Sequence, residues 1–322
     1  MRRSRRIATL VAGVLLLVAA AAAGCGDGAD ATAGGSLEVI TSATFLADIA
    51  QNVAGDRFTV QALVPPDADL HAYEPTPHDV TDVTGADLFI VNGAGLEQTL
   101  ADTVSGAGGD VRIVTASAGL EPRTPQPGEP LAGGGGEDDA ADAADLAADP
   151  HFWLDPTLVE TYVENIRAAF VEADPEGAAT YAANADRYIE QLEQLDRWIR
   201  DQVDTLPASD RKLVVNHVSH GYFADRYGFA IVGAVIPSVS TGDTPTARQL
   251  ADLTRAIRES GAKAIFVELD ENPQLAEQIA AETGIAIVAD LRDHALSGPD
   301  GEAPTYIDMM RFDTTRIVEA LR

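Results

Sequence analysis

His71, His151 and His217 each follow a run of residues that reads as a β-strand, or lie in the loop after one, where open α/β sheets place ligand-binding groups. Neutral imidazoles in such positions can coordinate a borderline metal ion, and a carboxylate at a further strand end, Asp290 after Ile285-Ala286-Ile287-Val288-Ala289, can join them. Cys25 is the only cysteine of the chain, so any metal site must use histidines and carboxylates, with no thiolate and no disulfide. The catalytic alternatives have no support: there is no His-Glu-x-x-His helix, no Gly-x-Ser-x-Gly and no glycine-rich phosphate loop, and a zinc hydrolase would need an exchangeable water and a positioned base.

The local sequence shows how the histidines are braced. His71 stands in Asp69-Leu70-His71-Ala72-Tyr73-Glu74-Pro75-Thr76-Pro77-His78-Asp79, where Thr76 can cap a helix with Pro77 at its first position and Asp79 closing a capping box. His151 lies between an acidic stretch and Phe152-Trp153-Leu154-Asp155-Pro156, whose two aromatic residues would form a dry surround for its ring. His217 ends Leu213-Val214-Val215-Asn216. Of the other histidines, His78 falls in the first turn of a helix and reads as solvated. His220 could share the face of His217 or replace a packing aromatic, and His294 reads as a loop residue. Glu268, ending Ala264-Ile265-Phe266-Val267, reads as the partner of a basic group.

These residues are positioned by an alternation of strands and helices, which predicts α/β architecture with parallel sheets built from βαβ units. The strands are expected at 37–41, 58–64, 88–92 and 111–115, then at 212–216, 230–235, 264–268 and 285–289. Helices are expected at 43–53, 76–85, 96–105, from 221, 245–260, 273–283 and 306–321. Between the two sets, 175–206 carries Tyr181, Ala185, Tyr188, Leu192, Leu195, Ile199 and Val203 at helical spacing. A helix of about 30 residues is about 45 Å long, suited to bridging two lobes. Residues 121–150, with five prolines, four consecutive glycines and a run of acids, read as a long acidic loop, either simply solvated or acting as a low-affinity metal collector.

The N-terminus carries Arg2, Arg3, Arg5 and Arg6 ahead of the apolar run Ile7 to Ala23, an export signal. It ends in Ala22-Ala23-Gly24-Cys25, which resembles a bacterial lipobox with Cys25 as the lipidated residue; an uncleaved anchor of about 17 apolar residues is the alternative reading. Loss of residues 1–24 removes four arginines and no acids, taking the formal charge from −29 to −33. That charge excludes a nucleic-acid partner and attracts cations.

The segments DLHAYEPTPHD, DPHFWLDP, VVNHVSHGYFADRYGF, ETGIAIVADL and YIDMMRFDTTRIVEAL, in this order across residues 37–322, resemble the ZnuA/TroA-like zinc and manganese solute-binding proteins of ABC importers. The resemblance implies an N-terminal lobe (37–170, including the acidic loop), a rigid linking helix (175–206) and a C-terminal lobe (211–322), preceded by a signal (1–24) and a tether (25–36). It implies one metal held between the lobes by His71, His151, His217 and Asp290, and a monomer that hands its ion to a permease with its ATPase, without catalysis. Histidine rather than glutamate at 217 favours zinc over manganese, with Zn2+ as the transported ligand and Mn2+ as the alternative. A surface adhesin lipoprotein using metal only structurally is a further alternative. The chain departs from the family in Leu70 where proline is common, in His220 where a large apolar residue is common, and in an acidic rather than histidine-rich loop.

Overall fold

Short runs of buried apolar residues make the strands. Val39–Thr41 (β1) and Leu88–Val91 (β3) are buried along their whole length, as strands covered on both faces must be. In the computed structural model, which describes residues 37–66, 68–97, 100, 111–123, 148–269 and 272–322, they pair in parallel with Val60–Ala62 (β2) and Arg112–Thr115 (β4) in the order β2-β1-β3-β4. A second four-stranded parallel sheet has the order β6-β5-β7-β8, from Lys212–His217 (β5), Ala230–Ile236 (β6), Ala264–Glu268 (β7) and Ala286–Leu291 (β8). The fold is therefore the expected α/β arrangement of two parallel sheets with flanking helices. The export signal, the tether, Cys25, most of the helix expected at 96–105 and the core of the acidic stretch lie outside the described residues.

The helices of the first half are Thr44–Ala54 (α1), Pro77–Gly85 (α2) and Pro156–Ala173 (α3). The capping box read from the sequence is present: Asp79 N donates to Thr76 Oγ1 at 3.3 Å and Thr76 N donates to Asp79 Oδ2 at 2.7 Å. Ala178–Val203 (α4) runs for 26 residues between the two sheets, and all seven positions singled out by helical spacing are buried in it. It begins three residues later than expected because Pro175–Gly177 forms a separate 3-10 turn. The second half adds Gly221–Tyr227 (α5), Ala247–Ser260 (α6), Gln274–Thr283 (α7) and Tyr306–Leu321 (α8).

The largest hydrophobic cluster among the described residues runs from Phe45 and Phe170 through Tyr188 and Leu195 of α4 to Phe266, Tyr306 and Leu321, with two smaller clusters beside it. The C-terminal helix and the segment before it are stitched to the first half as well as the second: Tyr306 N donates to Asp48 Oδ2 at 3.0 Å, Tyr306 Oη donates to the Trp153 carbonyl at 2.6 Å, and Leu296 N donates to Thr44 Oγ1 at 2.9 Å. No helix among the described residues is long and apolar enough to cross a membrane.

Candidate metal centre

In both sheets the strand order reverses between the first and third strands of the set, and loops diverge there to leave a crevice at the strand ends. His217 and Glu268 are the last residues of β5 and β7, at this point of the second sheet. In the first sheet the corresponding position is taken by Asn92, just after β3. Its Nδ2 donates to the Pro150 carbonyl at 2.9 Å, and its Oδ1 accepts from Tyr162 Oη, so the chain entering His151 is tied to the sheet. Buried Glu97 gathers Ser42 Oγ and Asn92 N at 2.6 Å each, completing this polar joint.

Four imidazoles converge in the crevice. His71 Nε2 lies 3.3 Å from His294 Nε2 and 3.3 Å from His151 Nε2, and His151 Nε2 lies 3.3 Å from His217 Nε2. One ligand atom from each of the four lies within 4.8 Å of all the others. His151 and His217 are 0% exposed, His294 is 3% exposed, and His71 is half-buried. His71 is held by an Asx turn in which Asp69 Oδ1 accepts from His71 N at 2.8 Å, while Asp69 Oδ2 accepts from Thr241 Oγ1, a residue of the second half, at 2.8 Å. Asp149 Oδ1 lies 2.9 Å from His151 Nδ1 and accepts from its backbone N at 3.1 Å. Asp293 Oδ1 lies 2.9 Å from His294 Nδ1, and Glu268 Oε1 lies 3.5 Å from His217 Nδ1. With carboxylates at Nδ1 of His151, His217 and His294, the Nε2 atoms of these rings and of His71 face one another in an arrangement that can hold a cation.

Burial and the neighbouring imidazoles hold His71 and His151 neutral. Desolvation first, and then the charges of His294 and His217, take His71 from its ordinary 6.5 to about 2. Desolvation first, and then the other imidazoles, hold His151 well below its usual range. Burial opposes ionisation of Asp293, but His294, His220 and His217 outweigh it and hold the carboxyl low. For His71 the unfolded chain takes up the proton that the folded chain refuses. The metal-free protein is therefore fully stable, as far as this group is concerned, above about pH 6.5 and loses stability as the pH falls toward about 2. Thermal melting of metal-free protein at pH 7.5 and 5.0 should show a lower midpoint in acid and a smaller drop in His71→Gln; equal drops would remove His71 as the cause.

Three of the four residues expected as ligands are thus brought together, and the fourth is not. Asp290 lies within β8, which continues to Leu291, two residues beyond its expected end. The Asp290 side chain is turned away to Arg316 of α8, with Nε–Oδ1 at 3.0 Å and Nη2–Oδ2 at 2.8 Å. His294 takes its place, delivered by the segment after β8. The clue available in the sequence was the neighbouring Asp293, a carboxylate beside an imidazole. His220 is buried beside Asp293 Oδ2, 3.6 Å from its Nδ1, and belongs to a deeper layer. His78 is exposed on α2 and pairs with Asp82 at 3.3 Å, as a solvated residue would. Glu268 lies beside His217, its Oε1 3.5 Å from Nδ1. Trp153, fully buried, lies with its ring 5.2 Å from that of His151, and Phe152 packs on Tyr222 at 4.8 Å.

Residues 39–320 match the model of the family described as zinc-uptake complex component A, periplasmic (ZnuA). The manganese-binding lipoprotein MntA of Halalkalibacterium halodurans is 34% identical over 310 residues, 96% of this chain and 97% of its own. The manganese ABC transporter substrate-binding lipoprotein PsaA of Streptococcus anginosus is 27% identical, covering 98% and 99%. Among solved structures, the periplasmic zinc-binding protein TroA of Treponema pallidum superposes with a TM-score of 0.77 at 26% identity, covering 89% of this chain and 99% of TroA.

Proposed function

The chain belongs to the ZnuA family of periplasmic uptake-complex components, and on that premise we propose that it is the metal-binding receptor of an ABC importer. In this reading it captures one zinc ion at His71, His151, His217 and His294, outside the cell and anchored by lipid on Cys25, and passes it to the permease. The observation that carries the choice of ion is the spacing of the ligand atoms. A tetrahedral zinc with Zn–N bonds of about 2.05 Å sets its nitrogens about 3.3 Å apart, and the successive Nε2 separations along His294, His71, His151 and His217 are 3.3 Å. Four imidazoles, with no oxygen donor grouped with them among the described residues, also suit zinc better than manganese, which favours carboxylate, carbonyl and water. Four protein ligands close the tetrahedron and leave no position for a reactive water, consistent with transport rather than hydrolysis.

Manganese is the second reading, favoured by the 34% identical relative named for that metal. Competition titration of the metal-stripped chain from residue 26 onward gives the stoichiometry, and the spectrum of bound cobalt discriminates the two, because the Irving–Williams order makes almost any such site prefer zinc in vitro. One zinc per chain is expected, held at least 100-fold more tightly than manganese by the Irving–Williams order and the nitrogen donor set, on the order of 3 kcal/mol. Cobalt substituted for zinc should give the intense visible bands of a tetrahedral ion. Weak, six-coordinate cobalt spectra would favour the manganese reading, and no tight divalent metal would sink both.

A further inference from the structure

Behind the imidazoles lies a second layer of buried polar groups: Glu268 at the end of β7, Asp293 after β8, and Ser219 and His220 after β5. Glu268 Oε1 lies 3.5 Å from His217 Nδ1 and accepts from Ser219 Oγ at 3.3 Å. Asp293 reaches His294 Nδ1 through Oδ1 at 2.9 Å and lies 3.6 Å from His220 Nδ1 through Oδ2. Its own backbone is pinned, since its carbonyl accepts from Trp153 Nε1 at 2.5 Å. Ligand atoms of His220, Glu268 and Asp293 lie within 4.8 Å of one another, close enough to hold an ion of their own.

Charge decides against a second ion. Four neutral imidazoles around a dication leave two positive charges in a water-poor crevice. Glu268 and Asp293 together cancel them; Asp149, 2.9 Å from His151 Nδ1, adds a third carboxylate and shares Arg123, at 3.9 Å, with Asp225, at 2.9 Å. A second dication in the deeper layer would restore an uncompensated double charge, which is costly without water. A carboxylate placed one imidazole away from the ion supplies its charge but no oxygen to the coordination shell. The site thus gains electrostatic affinity without the donors that manganese prefers.

We propose that Glu268 and Asp293 are positioning and selectivity-determining residues of the centre, acting on the ion through His217 and His294. They would supply the two negative charges that a four-imidazole site lacks in its first coordination sphere. This rests on the metal-receptor reading above.

Glu268→Gln and Asp293→Asn keep the shape and one acceptor oxygen, exchange the other oxygen for an NH2 group and remove the charge. Each is expected to weaken zinc and cobalt binding roughly 10–100-fold. The tetrahedral cobalt spectrum and the stoichiometry of one should be kept, and the melting midpoint of the metal-free protein should not fall. Zinc affinity within twofold of the parent in both variants would overturn the proposal. So would two zinc ions in the parent with one lost in either variant, which would make the deeper layer a metal site in its own right. The parent serves as the control for the functional reading: if it binds no zinc tightly, that reading fails and this inference falls with it. If the parent binds and the variants are unaffected, only the inference fails.

Discussion

Replacing His294 by alanine is expected to lower zinc affinity by about two to three orders of magnitude, whereas Asp290→Asn should leave it within about twofold. Four protein ligands together supply roughly 10–16 kcal/mol of apparent binding free energy in structural zinc sites, so one imidazole accounts for about 3–4 kcal/mol. At about 1.4 kcal/mol per decade this is the stated loss. Asp290 makes its ion pair with Arg316 instead, and both side chains are 39% exposed. Breaking that pair should cost roughly 1 kcal/mol of stability or less. Isothermal competition against a chelator of known affinity measures both variants. A large loss in Asp290→Asn with none in His294→Ala would reverse the ligand assignment and restore the carboxylate expected from the sequence.

Trp153→Ala should be the most destabilising single change near the site, at roughly 3–5 kcal/mol, the range for removing a large buried aromatic ring. The ring is fully buried and stacks on Phe45 of α1, with centroids 4.5 Å apart and planes 23° from parallel. Its Nε1 donates to the Asp293 carbonyl at 2.5 Å, and its own carbonyl accepts from Tyr306 Oη at 2.6 Å. Trp153 therefore joins the loop of His151 to the segment of Asp293 and His294. Its loss should loosen ligands from both halves of the chain and weaken zinc binding as well as the fold. Urea denaturation of the metal-free variant checks the first effect and zinc competition the second. A loss below about 1 kcal/mol would mean that the core closes over the missing ring.

The continuity of the core bears on how the ion can enter. Because α4 and α8 pack into the same cluster as both sheets, a wide separation of the halves would expose residues such as Tyr188, Tyr306 and Phe266 together. His71 is the one half-buried ligand and sits on a loop held across the crevice by Asp69 and Thr241.

Local pattern was enough to read the strands, the capping box at Thr76 and Asp79, and the buried stripe of α4, because each depends on periodicity or on residues three to four apart. The same holds for His71, His151 and His217, whose neighbours in sequence fix the loop or strand end on which they stand. The fourth imidazole of the cluster was decided by tertiary structure. In a strand, successive side chains point to opposite faces, so two further residues of β8 keep Asp290 within the strand, facing α8, and carry the chain on to Asp293 and His294. The partner that identifies His294 is His71, 223 residues away, a separation at which no local periodicity records the contact. Glu268 and Asp293 were brought beside His217 and His294 in the same way. Each is an ordinary acid in the sequence and becomes part of the centre only where β7, the segment after β8 and β5 meet.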